Sequence, residues 1–247
     1  MRRFSDYDPF AWLYTNYWGH EFHGQAMPVL EKLVLRQLPP RACILDVCCG
    51  DGRITRELVR RGFRVTGIDG SESMLSYAKK RASKAELLLL DARTFQLPSR
   101  FDAAISTFDS LNHIMKVGEL EAVFRNVWSA LKPHGCFAFD LNREEAYQDL
   151  WQRTWSIIAD DVVAVAKGTY DPLRQRARCD VTLFRLAEGT WRRFDFRLRQ
   201  KYHPLEEVTA ALERAGFSVE VYDAAAELGM DGETGQGRTF YFARKTR

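Results

Sequence analysis

Ile44-Leu45-Asp46-Val47-Cys48-Cys49-Gly50-Asp51-Gly52-Arg53 is the stretch on which the fold turns. The apolar run 42–47 suits a short parallel strand buried on both faces. Glycines at 50 and 52 then let the backbone pass close to a ligand. Ile54 to Arg61 has helical spacing and ends at Gly62, so a helix N-terminus with its positive dipole faces the same turn. Strand, glycine turn and helix make the opening unit of a ligand-binding α/β sheet. A tight turn that binds nothing is the competing reading.

Downstream the unit repeats. Arg64 to Asp69 reads as a second strand, and Ser71 opens a helix through Met74, Leu75 and Ala78. Leu87 to Asp91 reads as a third strand and Phe101 to Ser106 as a fourth. Leu120 to Leu131 is helical, stopped by Pro133 and Gly135, and Cys136 to Leu141 is a fifth strand. Upstream, Pro28 to Leu38 is apolar at helical spacing and Pro39-Pro40 should stop it. Such β–α alternation predicts a Rossmann-like, doubly wound α/β sheet of about seven strands. Ligands of these sheets bind beyond the carboxyl ends of the strands. Those ends carry Asp46, Asp69, Asp91 and Thr107 to Asp109.

The pattern then changes. Val162 to Tyr170, Arg176 to Leu186 and Trp191 to Tyr202 are β-rich runs joined by turn signals. They predict an inserted antiparallel β sheet, acting as a lid or a dimer surface. Helical order resumes at Pro204 to Ala215, and Phe217 to Tyr222 and Arg238 to Ala243 close the sheet. Residues 1–154 are therefore read as a helical cover plus ligand-binding core, 155–202 as the insertion, and 203–247 as the rest of the core. The glycine-rich loop from Glu227 to Gly237 is expected to be mobile.

A dinucleotide is the default ligand for a glycine turn after strand one, but its G-x-G-x-x-G fingerprint fails: Gly50-x-Gly52 is followed by Arg53-Ile54-Thr55. Asp46 and Asp51 would also repel a pyrophosphate. They suit a ligand carrying an ammonium and a sulfonium.

Asp46 to Gly52 resembles motif I of the class I methyltransferases that use S-adenosylmethionine (SAM), usually D/E-x-G-x-G-x-G. The resemblance covers roughly residues 40–145 and the closing strands. It departs at Cys48, where the family has glycine; a side chain there implies a backbone that avoids positive φ. The resemblance implies SAM as cofactor and S-adenosylhomocysteine as product. It implies cofactor contacts from Asp46, Cys48, Gly50 and Gly52. Gly70 would also contact the cofactor, Asp69 would meet the ribose, and Met74, Asp91 and Ala92 the adenine. Core packing competes for Met74, and a turn cap for Asp91. Thr107-Phe108-Asp109-Ser110-Leu111-Asn112-His113 resembles the Y/F-D-S-L-N run of bacterial small-molecule methyltransferases. Thr107 and Phe108 would lie by the methionine part, with Asp109, Asn112 and His113 on the substrate side. Tyr14, in the aromatic run Tyr7 to Tyr14, is carried over as a cover of the SAM pocket; packing among Tyr14, Tyr17, Trp18 and Phe22 competes.

Methyl transfer is an in-line displacement for which the protein mainly aligns donor and acceptor. A base is needed only when the acceptor is protonated, and His113 is the candidate catalytic residue. A packed or surface histidine is the alternative. His20 and His23 flank Glu21 at helical spacing without a third ligand, so no metal is expected. Trp151, Trp155 and Trp191 are candidates for an apolar substrate wall.

The remaining features narrow the class. Net charge is +3, with 46% hydrophobic and 28% charged residues. That is ordinary for a globular protein and lacks the basic excess of a nucleic-acid binder. The D/N/S-P-P-Y/F motif for methylating base amines is absent at Thr107 to Ser110, as is a Pro-Cys pair for attack on a pyrimidine. Five cysteines without a CxxC spacing fit a reducing cytoplasm. No apolar run is long enough to cross a bilayer. The expectation is a cytoplasmic SAM-dependent methyltransferase acting at N or O of a small-molecule substrate, without nucleic-acid or membrane partners. An RNA or protein methyltransferase, or a SAM-binding protein without catalysis, are the alternatives.

Overall fold

Apolar residues on both faces place Cys43–Val47, β1, in the interior of the main sheet: Ile44, Leu45 and Val47 are fully buried. The structure is a computed structural model and describes residues 6–246. Arg2 and Arg3, and the side chains of His20 and Glu21, lie outside the described residues.

Before β1 come α1 (Ala11–Leu13), a π-helical turn (Tyr14–Trp18), α2 (His20–Leu33) and a 3-10 turn (Leu35–Gln37). After it come α3 (Arg53–Arg60), β2 (Arg64–Asp69), α4 (Glu72–Arg81), β3 (Glu86–Leu89) and β4 (Phe101–Ser106). A 3-10 turn (Ser110–His113), α5 (Val117–Ala130), β5 (Leu131–Asn142) and α6 (Glu144–Gln148) follow. Four strands form the insertion: β6 (Thr154–Ala159), β7 (Val162–Asp171), β8 (Arg176–Ala187) and β9 (Thr190–Lys201). The chain closes with α7 (Leu205–Arg214), β10 (Phe217–Asp223), α8 (Gly232–Gly235) and β11 (Arg238–Lys245).

The main sheet has seven strands in the order β10-β11-β5-β4-β1-β2-β3. Neighbours from β5 to β3 are parallel, and β11 runs antiparallel to both β5 and β10. The expected doubly wound sheet is therefore present. Leu120, Val123, Phe124 and Val127 of α5 and Val208 and Leu212 of α7 bury one face. Phe22 to Leu33 of α2 and Ile54 and Leu58 of α3 bury the other. A fully buried Leu, Val or Phe contributes about 1.5–3 kcal/mol, so these two layers hold the sheet.

Four expectations change. The helix ahead of β1 begins at His20 and ends at Leu33, with Pro28 inside it. Gly24, whose carbonyl loses the Pro28 donor, is exposed and can be hydrated there. Strand β5 starts at Leu131, five residues early, because Leu131 pairs with Phe101 before an irregularity around left-handed His134. The insertion has four strands, not three. Its unforeseen strand β6 is a sheet edge whose Ile158 is 79% exposed, which breaks the alternation a half-buried strand should show. Finally, the stretch Glu227 to Gly237 is not all loop: it contains α8, and it is anchored by Met230, buried in one core cluster with α2 and α3, and by Lys32, which donates to the Glu227 carbonyl, while Gly229 and residues 231–233 are exposed.

The insertion shares a core with the N-terminal segment. Phe10 and Leu13 pack with Val162, Ala164, Cys179, Val181, Leu183 and Leu198. Arg185 lies over the Trp12 ring, 4.2 Å from its centroid. The N-terminal segment and the second sheet thus form a roof above the carboxyl ends of the main strands. Among the described residues no helix is long and apolar enough to cross a membrane.

Candidate active site

Under this roof lies a cleft of about 530 Å³. Its floor is built by the turns that follow β1, β2, β3 and β4. It is lined by Asp46, Cys48 and Gly50 from the first turn, Asp69, Gly70 and Met74 from the second, Asp91 and Ala92 from the third, and Thr107 and Phe108 from the fourth. Tyr14, Tyr7 and His113 reach it from above and beside. Three expected site residues do not line it: Gly52, Asp109 and Asn112.

The first turn is left-handed at Cys48 (φ 60°), Gly50 (φ 55°) and Gly52 (φ 78°). Cys48 thus adopts the positive φ that its side chain was expected to forbid. The turn is held on this path from outside: Cys49 donates to the Ile68 carbonyl at 3.0 Å, Gly50 to Asp69 Oδ2 at 2.8 Å, and Gly52 to the Cys49 carbonyl at 3.0 Å. Such a residue costs about 1–2 kcal/mol and persists where its surroundings over-determine it. An atom added as Cβ at Gly50 would meet nothing within 4 Å, so this backbone faces open cleft. At Gly52 the same atom would sit 2.9 Å from the Ala78 Cβ. Gly52 therefore serves the contact of α3 with α4.

The acidic groups differ in state. Asp46 is 2% exposed and accepts from Thr55 Oγ1 at 2.5 Å; burial pushes its carboxyl up to about 7. Asp51 is ion-paired with Arg53 at 3.1 Å and with Arg81, so its charge is compensated. Of the two acids flanking the turn, only Asp46 lacks a cationic partner there among the described residues. Burial also raises Asp69, to about 6, against the pull of the Ser71 and Gly50 amides, each 2.8 Å from a carboxylate oxygen. Asp91 is clasped by the backbone and guanidinium of Arg93, at 2.6 Å for the shortest contact. Burial disfavours its charge, but the Arg93 bonds outweigh that and hold the carboxyl below its usual range. The turn-cap reading of Asp91 and its place on the cleft are both realised.

After β4 the chain takes two successive left-handed residues, Phe108 (φ 63°) and Asp109 (φ 45°). Their amides donate to the carboxylate of Asp140, at the end of β5, at 2.7 and 2.8 Å. This turns Asp109 inward. It pairs with Arg238 of β11 at 2.9 Å and accepts from Gln200 of β9 at 2.6 Å. Arg238 also pairs with Asp140. Asn112 is fully buried, donating to the Lys201 carbonyl and accepting from the Asn142 amide, both at 2.9 Å. Asp109 and Asn112 brace the site from behind and do not line the cleft. His113 alone of the three reaches the cleft. Its Nδ1 is 2.7 Å from the Arg199 carbonyl, and its Nε2 is 3.1 Å from both Tyr7 Oη and Gln200 Nε2. Burial lowers its pKa while Asp109 opposes that shift.

The roof adds residues that sequence reading did not single out. Tyr7 stands edge-on to His113, ring centroids 4.9 Å apart. Asp8 accepts from Ser71 Oγ at 2.6 Å and from the Ser73 amide at 3.1 Å, a carboxylate at the N-terminus of α4. Gly19 leaves room for Tyr14: an added Cβ would lie 2.8 Å from that ring. The tryptophans expected as a substrate wall stand elsewhere. Trp155 packs on Trp18, Trp151 packs on Tyr147, and Trp191 is half exposed. His23 lines the cleft, and no cluster of metal-ligating side chains occurs among the described residues.

Residues 44–135, which carry the glycine turn and strands β1 to β4, match the methyltransferase domain family. Taken with the fold and the relatives below, this match supports a class I SAM-dependent methyltransferase. YqeM of Bacillus subtilis (strain 168), provisionally described as a methyltransferase, is 29% identical over 86% of this chain and 87% of its own length. A dTDP-3-amino-3,4,6-trideoxy-alpha-D-glucopyranose N,N-dimethyltransferase of Streptomyces venezuelae is 27% identical over 82% of this chain and 86% of its own. Among solved structures, a SAM-dependent methyltransferase from Clostridium acetobutylicum ATCC 824 shares the fold with a TM-score of 0.81 at 21% identity, covering 98% of this chain and 100% of its own. Streptomyces venezuelae DesVI does so at 0.77 and 24% identity, covering 98% and 99%.

Proposed function

We propose that this methyltransferase carries a methyl group from SAM to a nitrogen or oxygen of a small molecule, with an amine on a sugar the first candidate. The observation that supports it most is the make-up of one cleft, whose wall carries three strand-end acids and a His–Tyr pair. Asp46, Asp69 and Asp91 line it from the turns after β1, β2 and β3, and the His113–Tyr7 pair lines it from the turn after β4 and from the roof. The acids fit the cofactor. The Asp69 oxygens, held by two backbone amides, keep lone pairs for the ribose hydroxyls, and Asp46 supplies charge for the ammonium. The bare backbone at Gly50 admits close approach, with Met74 and Ala92 flanking the adenine. Thr107 and Phe108 bound the methionine part and Tyr14 covers it.

The His113–Tyr7 pair receives the acceptor. A nucleophile with a hydrogen to lose needs a proton acceptor there, and His113 or the tyrosine it polarises supplies one. Two curated relatives named as sugar N,N-dimethyltransferases support an amine as nucleophile. The second sheet, with Leu198 and Arg199 on the cleft, is then a lid over this pair.

Thermal melting with SAM, S-adenosylhomocysteine, NAD and NADP tests the cofactor half, since a ligand that binds the native state raises Tm. A rise with the first two alone is expected; no rise, or a larger one with NAD, overturns it. Formation of S-adenosylhomocysteine from SAM with a panel of amino sugars, their nucleotide conjugates and hydroxylated analogues tests the acceptor. Turnover only with RNA or protein would refute the small-molecule reading.

A further inference from the structure

Two successive residues of β9 hold both ring nitrogens of His113. The Arg199 carbonyl, 2.7 Å from Nδ1, can only accept, so the ring proton sits on Nδ1. Nε2 is then a lone pair, and the Gln200 amide nitrogen, a donor, lies 3.1 Å from it. Gln200 is 1% exposed, and every polar direction of its side chain is used. Its second N–H goes to Asp109 Oδ2 at 2.6 Å. Its oxygen accepts from the Tyr147 hydroxyl at 2.8 Å and faces the Asn142 amide nitrogen at 3.5 Å. Turning the amide over would set oxygen against the Asp109 carboxylate and N–H against the Tyr147 and Asn142 donors. Its orientation is therefore forced.

We propose that Gln200 is a positioning residue for the acceptor site: its amide keeps His113 neutral, in the Nδ1–H tautomer, with the single Nε2 lone pair shared between the Gln200 N–H and the Tyr7 hydroxyl. This rests on reading the His113–Tyr7 pair as the place where the acceptor binds. With Nε2 an acceptor, Tyr7 Oη, 3.1 Å away, donates to it. An imidazolium would instead set its Nε2–H against the Gln200 N–H and disrupt this arrangement. The second sheet thus does more than cover the cleft: its strand β9 sets the protonation of a side chain contributed by the main domain.

The charged and titratable groups around His113 are few. Asp109 lies on its own turn and is paired with Arg238. Tyr7 and Asp6 come from the N-terminal segment, and the Arg199 guanidinium of β9 faces Asp6 at 3.7 Å. Asp109 and Asp6 favour the charged ring, burial opposes it, and the Gln200 donor acts on the side of burial.

Nitrogen-15 NMR of the histidine rings between pH 5 and 8.5, with S-adenosylhomocysteine present, tests the proposal without a known acceptor. The His113 signals are assigned by their loss in His113→Asn. The wild type is expected to show the Nδ1–H tautomer and a midpoint below 6.5. Gln200→Glu, which offers an acceptor in place of a donor, should raise that midpoint by a pH unit or more, and Gln200→Met by less. An Nε2–H tautomer or an imidazolium at pH 7.5 in the wild type overturns the proposal, whether or not either variant folds. So does an unchanged midpoint in a folded variant. The functional reading fails separately, through the melting and turnover measurements above.

Discussion

The ring of Phe22 lies flat on the ring of Phe108, centroids 4.2 Å apart and planes 5° from parallel. Phe22 belongs to the helix before β1, and Phe108 is the left-handed residue after β4. Parallel rings at this separation form a stacked aromatic pair. Here the Arg238 guanidinium sits 4.9 Å from the Phe22 centroid and 5.8 Å from that of Phe108, where a cation is drawn to the electron-rich faces. One arginine therefore organises the rings beside the cleft and the carboxylates behind it.

Phe22→Ala should lower stability by about 3 kcal/mol, the lower end for truncating a buried phenylalanine. In a chain of this size that corresponds to a Tm roughly 6–12 °C lower. Chemical denaturation gives the free energy directly. A loss under about 1 kcal/mol would mean that the stack contributes little.

Arg238→Met should be more damaging. It leaves Asp109 and Asp140 buried, close together and without their cation, a loss of about 3–5 kcal/mol for one-sided removal of a buried pair. Replacing both acids as well, as Asp109→Asn and Asp140→Asn with Arg238→Met, should recover part of it. A double- and triple-mutant comparison of denaturation midpoints checks this; no recovery would show that packing, not charge, is what Arg238 supplies.

Asp69 sets a pH dependence. Its carboxyl is raised by burial from 3.8 to about 6 in the folded protein. The neutral form is thus favoured by the unliganded fold: its contribution to stability is complete below 3.8 and lost as pH rises through 6. Accepting two ribose hydroxyls requires the ionised form, so ligand binding must release this proton when pH is below 6. Calorimetry with S-adenosylhomocysteine should show affinity falling more steeply below pH 6 in the wild type than in Asp69→Asn, by about a factor of ten per pH unit. Parallel curves would remove Asp69 from the ribose site. Asparagine is the better probe than alanine here, because alanine would strand the Gly50 and Ser71 amides.

Cys48 offers a test of the turn. Cys48→Gly keeps the left-handed path and should bind SAM with unchanged or improved affinity. Cys48→Val places a β-branched side chain at φ 60° and should weaken binding at least tenfold. Equal affinities would show that the ligand does not read this backbone.

Strands β2 and β4 are legible residue for residue, because apolar runs and turn signals bound them on both sides. The acids of the site were legible for the same reason: a carboxylate at the carboxyl end of a parallel strand has a known direction to face. The facing of Asp109 and Asn112 was not legible, since two successive positive-φ residues reverse the chain after β4 and no periodicity announces them. Gln200 and Arg238 were invisible for a different cause. Their partners lie 87 and 129 residues away, and a lone Gln or Arg in a strand carries no sign of what it will meet. In the same way Pro28 concealed a helix that simply passes through it.

Arg238 has a further consequence, for the order in which the protein can be completed. It emerges from the ribosome 98 residues after Asp140 and 129 after Asp109. Until then the nascent chain holds two acids, destined for the wall behind the cleft, without the arginine that pairs with both. Strand β11 also pairs with β5, so until it is made that edge of β5 lacks its partner strand.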